Sequence, residues 1–169
     1  MVIEQSFYVR PTLFCSQYHC KVICNASVFV VIDDDRDDIE IFMDACHEIE
    51  PSARVLLFED GNGCLDELPR LNVEPDIIFI NVQMPRMSGQ QLVQKLRSQI
   101  QLAMTPIVLY STECDDDLLR EFKYLGVSEF FQKPNSFHSL KAGLSKILNS
   151  VLDGNNCSNS DDFVVMECT

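Results

Sequence analysis

From Val28 onward, short apolar runs that end abruptly in polar residues alternate with stretches whose hydrophobic residues recur every three or four positions, and this alternation restricts the possible folds most. The first run is VFVVI, residues 28–32, stopped by Asp33, Asp34 and Asp35. The next segment, residues 36–50, places Ile39, Phe42, Ala45, Cys46 and Ile49 at helical spacing and leaves Glu40, Asp44 and Glu48 on the other side. Pro51 ends it. The pattern repeats with ARVLLF (53–58) and an irregular helix through CLDELPRL, where Pro69 removes a helical hydrogen bond. DIIFIN (76–81) is followed by a helix beginning near Ser88, whose hydroxyl can cap it and which turns Leu92, Val93 and Leu96 inward. PIVLYS (106–111) precedes a helix over 115–125 that stops at Gly126. SEFFQ (128–132) precedes a final helix with Leu140, Leu144, Ile147 and Leu148 on one stripe.

Strands that are apolar along their whole length are buried on both faces, and strands alternating with helices connect by right-handed crossovers. The expected fold is therefore α/β, a doubly wound five-stranded parallel sheet with helices on both faces. Polar residues at the carboxyl ends of such strands meet in one crevice, so Asp33, Asp34, Asn81, Ser111 and Lys133 are expected to converge. The expected division is an appendage over residues 1–26, one domain over 27–152 and a mobile tail over 153–169.

Charge narrows the partners. The chain carries 26 Asp and Glu against 13 Lys and Arg, a net charge of -13, which opposes binding to a phosphate backbone. No apolar run approaches the about 20 residues of a bilayer span, and the start lacks the pattern of a secretory signal. A cytoplasmic location is expected. The eight cysteines show no regular pairing and are read as free thiols; Cys15, His19, Cys20 and Cys24 match no zinc-site spacing. Cys114 lies near the crevice, where negative charge disfavours thiolate.

An acid pair, a polar group on the third strand, a hydroxyl and a lysine suit the handling of a phosphoryl group with magnesium: carboxylates offer hard oxygen ligands and lysine a point charge. Asp35, Asp37 and Asp38 are read only as the acidic, solvated start of the first helix. His19, His47 and His138 receive no general-base role.

These residues resemble the receiver domains of two-component response regulators over roughly residues 27–150. VIDDDRDD is similar to the family's first-strand acid cluster, and NVQMPRMSG to its DxxMPxMxG loop. YST (110–112) is similar to its fourth-strand hydroxyl site, and GVSEFFQKP (126–134) to its lysine-proline ending. The resemblance implies a flavodoxin-like strand order 2-1-3-4-5. It implies that Asp33 and Asp34 form the acid pair and that Gln83 is a backbone-carbonyl metal ligand. It further implies Ser111 and Lys133 as phosphate-sensing groups, Phe130 as the switch aromatic and Pro134 as a cis proline.

At the phosphoacceptor position the family has an aspartate and this chain has Asn81. A neutral amide does not attack phosphorus as a carboxylate does, so the chain is read as a pseudo-receiver, not an enzyme, with at most weak Mg2+ binding. It is expected to be of the single-domain type and to act through contacts with a histidine kinase, a phosphotransfer protein or an effector protein. The alternative is a haloacid-dehalogenase-like phosphatase using Asp33 and Asp35, which lacks the later acidic pair that family needs. A flavin carrier would need a hydroxyl- and glycine-rich loop where this chain has aspartates.

Overall fold

In the computed structural model, which describes residues 27–112, 116–152 and 165–166, the strands β1 (Val28–Ile32), β2 (Arg54–Phe58), β3 (Ile77–Asn81), β4 (Ile107–Ser111) and β5 (Glu129–Gln132) lie parallel in the order 2-1-3-4-5. The expected sheet is borne out. β3, at its centre, is buried at every position, as its unbroken apolar sequence requires.

Strand parity sorts the core into two layers. Phe29, Val31, Phe79, Val108, Tyr110 and Phe131 face one side and pack against α1 (Arg36–Ile49) and α5 (Phe137–Leu152). Val30, Ile32, Ile78, Ile80, Leu109 and Phe130 face the other and pack against α2 (Gly61–Glu67), α3 (Gly89–Arg97) and α4 (Asp116–Tyr124). Full burial of one such side chain contributes about 1.5–3 kcal/mol, so both layers stabilise the sheet between them. Cys46 and Cys64 are free and buried, and burial pushes both thiols up to about 12.

The structure departs from the sequence expectations in three places. α2 begins at Gly61, three residues before the reading placed it, because Asp60 caps it by accepting from the Gly63 amide at 2.9 Å. Gly61 packs closely: a Cβ there would lie 3.0 Å from the Met87 sulfur, which would have to shift. Pro69 then tightens the chain into a short 3-10 turn, Leu68–Leu71. Among the described residues no peptide bond is cis, so the Lys133–Pro134 bond is trans, the form favoured by about 0.5–1 kcal/mol before proline. Finally, Val165–Met166 forms a sixth strand, β6, parallel to β5 with Val165 opposite Phe130; the reading had given the tail no element. The remaining expectations for residues 1–26, for Cys114 and for the rest of the tail fall outside the described residues.

Candidate functional site

Register brings the polar strand ends to one level. Ile32 pairs with Ile80, and Asn81 pairs with Tyr110, so Asp33 follows β1 beside Asn81. Ser111 pairs with Gln132, and Lys133 is the next residue. Its amide donates to the Ser111 carbonyl at 2.8 Å. Asp33, Asn81 and Lys133 share the parity of the α1/α5 layer; Ser111 and Phe130 belong to the opposite parity. Phe130 is fully buried within the α2–α4 layer.

Asp33 is the hub. It is almost entirely buried, and each oxygen is engaged. Oδ1 accepts from the Asp35 amide at 3.1 Å and from Asn81 Nδ2 at 2.9 Å; Oδ2 accepts from Lys133 Nζ at 2.6 Å. Burial raises its pKa against the lowering pull of Lys133, the Asp35 amide and Asn81. The Lys133 ammonium at 2.6 Å and the two N–H donors on Oδ1 all favour the carboxylate form against that burial. Burial pulls Lys133 down, but Asp33 and Asp38 outweigh it and hold the ammonium above its ordinary range.

Asp38 corrects the sequence reading. It is half-buried, and its Oδ2 accepts from Lys133 Nζ at 2.6 Å; it is not only a solvated helix-start residue. Asp35 does cap α1, accepting from the Asp37 and Asp38 amides. That cap starts the helix where its first turn carries Asp38 back over the strand ends. No local signal sets Asp38 apart from Asp37, which shares the acidic first turn of α1. Tyr110 was also overlooked; its ring lies 4.9 Å from Lys133 Nζ and gives the ammonium an aromatic floor.

Asn81 gathers the remaining polar groups. Its Nδ2 donates to Asp33 Oδ1, to Asp34 Oδ1 at 3.2 Å and to the Gln83 carbonyl at 3.1 Å, while its Oδ1 accepts from the Gln83 amide at 3.3 Å. This amide orientation follows from the partners, since a flipped side chain would set oxygen against oxygens and NH2 against N–H. Three oxygens thus share two amide hydrogens.

The loop after β3 is pinned for the same purpose. Met87 is buried against the α2–α4 layer and Met84 packs on it. Ser88 and Gln91 form a capping box at the start of α3. The Gly89 amide donates to the Val82 carbonyl at 3.1 Å. A Cβ on Gly89 would meet the Val82 Cα at 3.0 Å, so only glycine lets α3 begin this close to the strand end. Arg86 turns the loop with a φ of 69°. The expected pocket residues Asp33, Asp34, Asn81, Gln83 and Lys133 are thereby linked in one hydrogen-bonded network through Asn81 and Asp33. Ser111 and Pro134 flank them through the backbone, and Phe130 lies in the core.

Among the described residues, no group of three His, Cys, Asp or Glu side chains is placed to hold a metal ion, and no helix is long and apolar enough to cross a membrane.

Residues 29–145 match the response regulator receiver domain. The sensor histidine kinase TmoS of Ectopseudomonas mendocina is 29% identical over 125 residues, which is 74% of this chain and 12% of TmoS; the chain therefore spans only a small part of that relative. Chemotaxis protein CheY4 of Vibrio cholerae superposes with a TM-score of 0.66 at 25% identity, covering 75% of this chain and 98% of CheY4. The phosphorylated cyanobacterial phytochrome response regulator RcpA shares the fold, with a TM-score of 0.69 at 20% identity over 75% of this chain and 94% of its own. With the sheet order, the strand-end pocket and the match over residues 29–145 in agreement, this chain belongs to the response regulator receiver domain family, the signalling domains of two-component systems.

Proposed function

We propose that this chain is a receiver-type signalling protein of a two-component phosphorelay that works through protein contact and forms no acyl phosphate at its third strand. The observation that carries this reading is Asn81. It stands at the strand-three end beside the acid pair, where the family's chemistry needs a carboxylate nucleophile, and its Oδ1 is the oxygen of a neutral amide already accepting from the Gln83 N–H.

Receiver domains interact with histidine kinases and effectors, and those are the partner classes for this chain. The face formed by α4, β5 and α5 is the output surface in this reading. The acidic net charge and the absence of a membrane-crossing helix among the described residues are in keeping with action in the cytoplasm. The phosphatase alternative loses support: Asp35 is committed to capping α1, and Asp33 is held by Lys133 and Asn81.

The test is incubation of the whole chain with acetyl phosphate and Mg2+, followed by intact mass. The expected result is no phosphate adduct. A stoichiometric adduct that disappears in Asn81→Ala would overturn the proposal.

A further inference from the structure

The acid pair and the Gln83 carbonyl are the oxygens to which the receiver resemblance assigns a divalent cation. In this chain all three lie within 3.2 Å of one atom, Asn81 Nδ2. That atom bears two hydrogens with partial positive charge, and its donors point at the oxygens a metal would use. The residues present therefore do not fit the metal. A cation entering among these oxygens meets the amide N–H groups head-on. Flipping Asn81 to offer Oδ1 instead would set its NH2 against the Gln83 N–H, which now donates to it. Metal entry thus displaces three hydrogen bonds from these oxygens, and the flip that would add Asn81 Oδ1 as a further, neutral ligand creates a donor–donor contact.

The cationic half of the pocket is closed in the same way. Two of the three Lys133 ammonium hydrogens are taken at 2.6 Å by Asp33 and Asp38, and the Tyr110 ring lies 4.9 Å from Nζ. The lysine side chain is only 10% exposed. For Lys133 to meet an incoming oxyanion it must leave Asp38, which is the partner on the solvent side, 36% exposed against 2% for Asp33.

We infer that Asn81 Nδ2 takes the place of a divalent cation and Asp38 the place of a phosphoryl oxygen, so that this receiver pocket is locked by its own side chains and binds neither metal nor phosphoryl group. The inference rests on the reading of Asn81 as the phosphoacceptor-equivalent position. It assigns Asp38 a positioning role: it acts on the pocket only through Lys133.

The experiment uses the full chain and two probes, Mn2+ alone and Mg2+ with beryllofluoride. Mn2+ binding is followed by electron paramagnetic resonance of the free ion, and each ligand's effect on Tm is measured, because a ligand that binds only the native state raises Tm. The parent chain is expected to leave free Mn2+ unchanged and to show no Tm shift with either probe. Asn81→Asp removes the N–H donors and adds a third carboxylate. It is expected to lower Tm in the absence of metal, to bind Mn2+ and to regain Tm on loading. Asp38→Asn in the Asn81→Asp background is expected to tighten beryllofluoride at least tenfold, with no tightening of Mn2+.

Saturable Mn2+ binding by the parent chain would overturn the inference, whether or not the variants fold. Mn2+ binding without a phosphate adduct would sink this lock while sparing the proposed function, whereas an adduct on the parent chain would sink the proposed function itself. Equal beryllofluoride affinity with and without Asp38→Asn would remove Asp38 from the lock.

Discussion

The sheet buries a carboxylate at each end, and the two are treated differently. Asp33, at the carboxyl end of β1, accepts from the Asp35 amide, Asn81 and Lys133. Glu129, at the amino end of β5, accepts from Ser150 Oγ at 2.9 Å through Oε1, and its Oε2 has no partner among the described residues. Burial raises the pKa of both. At Asp33 donors and a cation offset the desolvation; at Glu129 one hydroxyl does so only in part. Equal burial of one chemical group thus gives an ordered pocket at one end and an unrelieved cost at the other.

The largest effect should come from removing the cation that separates the two cases. Lys133→Met leaves Asp33 buried without its counter-ion and is expected to lower unfolding free energy by about 3–5 kcal/mol at neutral pH, measured by urea titration. The folded pKa of Lys133 is raised, so its contribution is complete below the unfolded lysine pKa and is lost as pH rises through the folded one. The parent's advantage over Lys133→Met should therefore fade at the alkaline end.

A smaller effect tests the amide. Asn81→Leu has similar volume and no donors, leaving Asp33 with Lys133 and the Asp35 amide; the loss should be about 1–3 kcal/mol. A loss as large as that from Lys133→Met would mean that the amide, not the ion pair, carries the difference between the two ends.

The smallest effect lies at Glu129 and has the opposite sign. A carboxylate whose folded pKa is raised costs stability above that pKa, and the cost is relieved as pH falls through the folded value toward the unfolded one. Glu129→Gln should therefore match or exceed the parent by up to about 1 kcal/mol at neutral pH and lose that advantage under acid. Denaturation curves for both proteins across that range check it, and a variant less stable than the parent at neutral pH would show that Glu129 has a charge-dependent partner.

How much of this was legible in the sequence varied with the range of the interaction. The apolar runs of β1, β3 and β4 announce buried parallel strands, because a strand covered on both faces has no position for a polar residue. Asp33 and Asn81 are readable as strand ends for the same reason, each standing where its apolar run stops, and Lys133 follows the end of the last run by one residue. α2 was read short because Gly61, Asn62 and Gly63 are poor helix formers, while Asp60 and the packing of Gly61 against Met87 override that preference. Asp38 looked like one more acid in a solvated first turn, since nothing local distinguishes it from Asp37.

By itself, then, the sequence determined the fold class, through periodicity and the residues that end each run, while the strand order and the expectation of a carboxylate where Asn81 stands came from the resemblance its motifs carry. Only the tertiary structure decided that the amide nitrogen would lie among Asp33, Asp34 and Gln83, and that Lys133 would reach Asp38, 95 residues away in the chain. A hydrogen bond depends on separations of a few tenths of an ångström, and those separations are set by how strands and helices pack, not by any spacing along the chain.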